Sequence, residues 1–219
     1  MGKMLTYIFL QYLPGSAGNF FSRCIGLVSD QCYGWIPRGI DNINLSVEEK
    51  FNAFEYQSVN QNWIHFERKL QHYSEVVAHH ALPHGSISLW QGHPCYKILT
   101  RDIAGPDDKK FVFYIDPSKN FEWVIMNCLY KNSYIDSRWL VEGKKMLNDA
   151  NIVKLDLSDI IASRDTFLGC IDKVCNITGI VLQESNRQKI AELWDQWIVT
   201  TLPASDFEIF KNKIGYFNT

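Results

Sequence analysis

The chain has 219 residues, of which 46% are hydrophobic and 14% aromatic, and this is enough to bury the core of one folded unit. We therefore expect a single domain over residues 1–219. The formal net charge of −2 at pH 7 excludes a general nucleic-acid binder, because affinity for the phosphate backbone requires a basic surface.

The first predicted element is a strand over residues 5–12 (LTYIFLQY), which is apolar and aromatic in the way of a strand buried on both faces. Thr6 and Gln11 interrupt this run, and no cleavage pattern follows it, so we expect neither a signal peptide nor a membrane span. The six cysteines form no CxxC pair, which is typical of reduced thiols. The chain is therefore predicted to be cytoplasmic.

Further strands follow, separated by segments with helical periodicity. The predicted strands are 75–80 (EVVAHH), 95–100 (CYKILT), 111–115 (FVFYI) and 152–157 (IVKLDL), and the predicted helices are 19–28, 46–54, 60–73, 121–130, 164–175 and 185–200. This alternation predicts an α/β fold with a largely parallel central sheet flanked by helices. The aromatic-rich stretch after residue 185 also offers a surface for a second subunit, and we include a homo-oligomer among the expectations.

A glycine-containing turn, LPGSAGN at residues 13–19, joins the first strand to the first helix. The two glycines allow a tight turn with inward main-chain N–H groups, and the start of the helix adds further donors and the positive end of its dipole. We predict an anion site formed by Gly15, Ser16, Ala17, Gly18, Asn19 and Arg23. The alternative is a strand-to-helix turn that binds no ligand.

All six histidines lie between residues 65 and 93. A zinc site is one interpretation, but no CxxC or HExxH motif accompanies them, so we predict no metal. His79 and His80 end a predicted strand and point to opposite sides of the sheet, so only one can enter a given cleft. We predict His80 as a general base, because an imidazole with an ordinary pKa near 6.5 accepts a hydroxyl proton at neutral pH.

The order of these features resembles the sulfotransferase family and, more broadly, the P-loop NTPase-like α/β folds. The LPGSAGN turn is similar to the family's P-K-S-G-T-T loop, HHALP at residues 79–83 resembles its T-H-L-P segment, and FVFYIDPSK at 111–119 resembles its strand ending in R-x-P. The segment IVKLDLSDI at 152–160 resembles the family's late strand. These similarities span roughly residues 5–180.

The resemblance implies a cofactor, 3′-phosphoadenosine 5′-phosphosulfate, held by the turn at 13–19 and, at its 3′-phosphate, by Ser118 and Lys119. It implies transfer of a sulfuryl group to a hydroxyl or amine of a small-molecule or glycan acceptor, with His80 as the base. The turn lacks the family's basic residue. The candidates to replace it are Arg23, Arg101, Lys119 and Lys131.

Two other interpretations remain open at this stage. One is a P-loop kinase-like enzyme with an altered phosphate loop, because Asp116 follows an apolar strand as a magnesium-positioning aspartate does. The other is a non-catalytic binding or assembly module that retains the fold without the chemistry.

Overall fold

The computed structural model describes residues 4–33, 46–48, 51, 84–94, 107–131, 133–199 and 201. The strands predicted at 75–80 and 95–100 and the helix predicted at 60–73 lie outside these residues. The base predicted at His80 lies outside them as well, so these assignments stay predictions.

The described residues form a five-stranded, all-parallel sheet, which confirms the predicted α/β fold. The strands are β1 (Thr6–Gln11), β2 (Cys32–Tyr33), β3 (Ile87–Gly92), β4 (Lys109–Asp116) and β5 (Val153–Asp156), in the order β2-β3-β1-β4-β5. Within this sheet β1 is central, and only its first residue is not fully buried. Its last residue, Gln11, is level with Gly92 on one side and Tyr114 on the other.

The direction in which the chain adds strands reverses between β1 and β4. After β1 the chain moves to β2 on one side, whereas after β4 it moves to β5 on the other side. In open parallel sheets, ligands bind outside the carboxyl ends of strands at such a reversal. The segments that follow β1 and β4, residues 12–17 and 117–120, therefore lie where this architecture places a ligand.

Helices cover both faces of the sheet. Those described are α1 (Gly18–Gly26), α2 (Phe121–Tyr130), α3 (Ser137–Asn148), α4 (Leu157–Ala162), α5 (Arg164–Thr178) and α6 (Glu184–Ile198). The predictions for α1, α2, α5 and α6 agree with the structure to within about two residues at most ends. Helices α3 and α4 and strands β2 and β3 were not predicted.

The main core joins α1, α5 and α6 to one face of the sheet. Phe20 of α1 stacks on Trp197 of α6 with ring centroids 4.2 Å apart, and Phe167 of α5 lies 5.5 Å from Phe20. Phe113 and Ile115 of β4 enter the same cluster, and both are fully buried. These rings hold α1 against the sheet, and this fixes the position of the turn that precedes α1.

The opposite face is covered by α3. Tyr114 of β4 packs there with Met146, and a Cβ on Gly143 would lie 2.6 Å from the Tyr114 hydroxyl oxygen, so α3 approaches the sheet closely at this glycine. On the same face, the rings of Phe9 and Trp90 lie 5.7 Å apart across β1 and β3. Helix α3 therefore lies near the carboxyl ends of β1, β3 and β4.

Candidate functional site

The turn after β1 has two residues in the left-handed region of backbone conformation. Gly15 has φ +82°, and Ala17, which precedes α1, has φ +62°. Between them Ser16 is fully buried, and its N–H and its hydroxyl both donate to Leu13 O, at 3.1 and 2.5 Å. The hydroxyl of Ser16 therefore stabilises the turn internally, whereas the sequence suggested it as a ligand donor.

Three main-chain amides at the start of α1 have no acceptor among the described residues. Within the part of the chain that the structure describes, the N–H groups of Ala17, Gly18 and Asn19 donate no hydrogen bond. Such groups at a helix N-terminus carry a partial positive charge and attract anions. An anion at these N–H groups stays a prediction, and Gly18 is itself buried beneath the Tyr12 ring.

A tyrosine side chain covers one side of this turn. A Cβ on Gly18 would overlap the ring of Tyr12, so glycine is required for the ring to lie flat on the first residue of α1. The Tyr12 hydroxyl donates to Asn19 Oδ1 and lies 3.3 Å from Gln91 Oε1, which also accepts from the Ser22 hydroxyl. A polar cluster thus connects the start of α1 to the end of β3.

The other side of the turn packs against α2. The side chain of Asn127, 1% exposed, donates from Nδ2 to Gly15 O at 2.7 Å, and its Oδ1 accepts from the Thr201 hydroxyl at 3.3 Å. Cys128 lies beside the same glycine, and burial raises the pKa of its thiol to about 11, so it is neutral at pH 7. Asn127 is therefore the polar group that fixes the Gly15 carbonyl.

Two cations lie near the turn in the described residues. Arg23 of α1 is only 7% exposed, and burial lowers the pKa of its guanidinium to about 10, while Tyr12 and Cys24 act in the opposite direction. Lys131, just after α2, lies close enough to act on the Cys128 thiol and favour its ionised form. These are two of the four candidates to replace the missing basic residue of the turn, and Arg101 lies outside the described residues.

A histidine lies directly beyond β3, next to this turn. The Nδ1 atom of His93 is 3.2 Å from Tyr12 O, and its ring packs edge-on to the Tyr12 ring with centroids 5.8 Å apart. Trp139 of α3 lies on the other side, with its ring centroid 4.0 Å from that of His93. If Nδ1 carries the proton that is donated to Tyr12 O, Nε2 is the basic nitrogen.

The segment after β4 forms hydrogen bonds with carboxylates at the ends of β4 and β5. Ser118 donates from its N–H and from its hydroxyl to Asp116 Oδ1, at 2.9 and 2.5 Å, and Lys119 pairs with Asp156 Oδ2 at 2.5 Å. The ammonium–carboxylate hydrogen bond raises the pKa of Lys119, but the lysine is exposed. These two predicted cofactor residues are therefore engaged with carboxylates at the ends of β4 and β5, and their role in binding a cofactor stays a prediction.

The described residues contain no group of three or more His, Cys, Asp or Glu side chains that could hold a metal ion. Among those same residues, no helix combines the length and apolarity needed to cross a bilayer.

No known protein family model matches the chain, and no curated protein sequence matches it.

Sequence reasoning missed three residues of this site, namely Gln91, His93 and Asn127. All three depend on the position of β3 or on the packing of α2, which no local pattern indicates. The segment ISLWQGH at 87–93 does carry one signal, since Ile87 and Leu89 alternate with polar Ser88 in the manner of a strand.

Replacement of Asn127 by leucine is expected to lower the free energy of unfolding by about 1–3 kcal/mol, because the Gly15 carbonyl then loses its buried donor. Urea denaturation followed by circular dichroism measures this change. Asn176→Leu is the control, since Asn176 is an exposed residue in the last turn of α5. Equal midpoints for the two variants would contradict the role assigned to Asn127.

Proposed function

We propose that the chain binds a nucleotide phosphate at the Gly15–Asn19 turn and transfers a sulfuryl group from 3′-phosphoadenosine 5′-phosphosulfate to a hydroxyl acceptor. The observation that carries this proposal is the arrangement of three amides, those of Ala17, Gly18 and Asn19, at a strand-order reversal with a histidine beside them. The resemblance to sulfotransferases supplies the identity of the transferred group.

The donor nucleotide would place its 5′-phosphate on these amides. They are held by α1 on one side and by the Asn127 side chain on the other, so they need little reorganisation when charge develops on the leaving phosphate. Arg23 and Lys131 would supply positive charge near the turn, in place of the family's basic loop residue. No metal ion is required for this transfer.

The acceptor would lie next to His93. As its oxygen attacks the sulfur, an O–S bond forms, the S–O bond to the phosphate breaks, and the phosphate oxygen keeps the electron pair. The acceptor's proton passes to Nε2 of His93, whose ring is oriented by Tyr12 O. His80, the base suggested by the sequence, is the rival candidate for this role.

Thermal unfolding in the presence of nucleotides tests the proposal. A ligand at about 100 times its Kd stabilises the native state by about 2.7 kcal/mol, which corresponds to a rise in Tm of roughly 5–10 °C for a chain of this size. We expect this rise with 3′-phosphoadenosine 5′-phosphate and not with ATP and magnesium.

The other outcomes select the alternatives. A rise with ATP and magnesium alone would favour a kinase-like enzyme that uses Asp116. No rise with either nucleotide would favour a binding or assembly module. Arg23→Met is the matched variant, because loss of one nearby cation is expected to weaken nucleotide binding by about 10-fold without removing the amides.

A further inference from the structure

Asn127 of α2 is held by two hydrogen bonds that together fix the direction of its amide group. The Gly15 carbonyl can only accept, so the atom of Asn127 that lies 2.7 Å from it is Nδ2. The other atom, Oδ1, faces Thr201, whose hydroxyl donates to it at 3.3 Å. Asn127 is 1% exposed and Thr201 is 2% exposed, so bulk water does not compete for either bond.

Thr201 lies just beyond α6, and the end of that helix is attached to the core. Trp197, in the last turn of α6, stacks on Phe20 of α1 and is buried. The end of α6 and Thr201 thus contact both helices next to the turn, α1 through Trp197 and α2 through Asn127. Thr201 therefore has a fixed position from which its hydroxyl can act on the Asn127 amide.

The contribution of the Thr201 hydroxyl is to supply the donor that Oδ1 of Asn127 needs. A buried acceptor without a donor is unfavourable. If the hydroxyl were absent, the Asn127 side chain would have to move, or a water molecule would have to enter, to satisfy Oδ1. Either change weakens the restraint that Nδ2 places on Gly15 O.

We propose that Thr201 is a positioning residue of the Gly15–Asn19 turn, and that its hydroxyl acts on the turn through the Asn127 amide. The Gly15 carbonyl belongs to the peptide group that joins Gly15 to Ser16, so a bond to it restrains the middle of the turn. The consequence for nucleotide binding rests on the proposed function, whereas the effect on the turn does not.

Hydrogen exchange of the Ser16 amide, measured by NMR on the full chain without nucleotide, tests this proposal. This N–H donates to Leu13 O within the turn, so its exchange reports local opening of the turn. Thr201→Val keeps the shape of the side chain and removes the hydroxyl. We expect the Ser16 amide of this variant to exchange about 5-fold faster, the effect of one lost buried hydrogen bond.

Two matched variants separate positioning from a general loss of stability. Thr178→Val removes another buried hydroxyl, which donates to Val174 O at 2.8 Å inside α5, and it is expected to leave the exchange rate of Ser16 unchanged. Thr201→Ser keeps the donor and is expected to exchange at Ser16 as the unchanged protein does. An equal rate in Thr201→Val and the unchanged chain, or the same increase in Thr178→Val, would overturn the proposal.

Nucleotide binding is measured on the same variants, after circular dichroism has verified that each is folded. The Kd for 3′-phosphoadenosine 5′-phosphate is expected to rise by about 3- to 10-fold in Thr201→Val and to stay unchanged in Thr201→Ser and Thr178→Val. If the unchanged chain binds no nucleotide while the exchange of Ser16 still follows the Thr201 hydroxyl, the positioning role stands and the proposed function fails.

A measurement on the unchanged chain needs no variant at all. We expect a nuclear Overhauser contact between the Thr201 methyl group and the Asn127 side-chain amide, because the two side chains are hydrogen-bonded. Absence of this contact would overturn the proposal.

Discussion

Replacement of His93 by glutamine is expected to lower kcat for sulfuryl transfer by roughly 10²- to 10⁴-fold, the usual contribution of a positioned general base. The glutamine amide can still donate to Tyr12 O, so the end of β3 keeps its contact with the turn. What the variant loses is the nitrogen that, in the proposed mechanism, accepts the acceptor's proton. The Kd for 3′-phosphoadenosine 5′-phosphate is expected to change by less than about 3-fold, because the imidazole acts on the acceptor and not on the donor.

Two parallel variants make this result specific. His84→Gln is the surface control, because His84 is exposed and its Nδ1 accepts from the Met4 N–H at 3.2 Å. His80→Gln tests the base that the sequence suggested. A large loss of kcat in His80→Gln with normal turnover in His93→Gln would assign the base to His80 and refute the role of His93.

Replacement of Gly15 by alanine is expected to lower the free energy of unfolding by about 2–4 kcal/mol and to abolish measurable nucleotide binding. Two costs combine at this position. The residue has φ +82°, which an alanine adopts only with strain, and the added Cβ would lie 2.5 Å from Val124 O and 2.7 Å from Cys128 Sγ. The turn can relieve this overlap by moving away from α2, and such a movement displaces the N–H groups of Ala17, Gly18 and Asn19 on which the proposed nucleotide site depends.

Gly85→Ala is the matched control for this prediction. Gly85 also has φ +82°, but nothing lies within 4 Å of the position that a Cβ would take. It therefore carries the backbone cost alone, about 1–2 kcal/mol, and does not touch the site. Urea unfolding and nucleotide titration of both variants separate strain from overlap. Retention of nucleotide binding by Gly15→Ala would show that the turn is not the phosphate site.

The parts of the fold that were predictable are those whose pattern is local. The strands at 5–12, 111–115 and 152–157 are short segments rich in apolar, aromatic and β-branched residues, and the structure confirms them as β1, β4 and β5. Strand β3 was not predicted, because its alternation of apolar and polar residues is confined to the short segment Ile87–Gly92. Ser88 is nevertheless 7% exposed, and its hydroxyl accepts from Trp90 Nε1 at 2.9 Å. Burial of that serine depends on a neighbour that the strand itself provides.

In the candidate site, too, the predictable residues are those with a local sequence pattern. Gly15 lies in the turn with φ +82°, as a tight strand-to-helix connection predicts. Gly18 is instead the first residue of α1, and glycine is required there because the Tyr12 ring lies on it. Asn127 was not identified, since an asparagine in the middle of a helix has no local signal for a partner 112 residues away. A contact of that kind arises when the helix that follows one strand packs against the turn that follows another, here α2 after β4 and the turn after β1.

The turn before α1 is attached to two separate parts of the chain, to β3 through Gln91 and to α2 through Asn127. These attachments lie on opposite sides of the central strand. A group that binds at the turn would therefore restrain both halves of the sheet at once. Any relative movement of those halves would therefore change the affinity of the turn for the bound group.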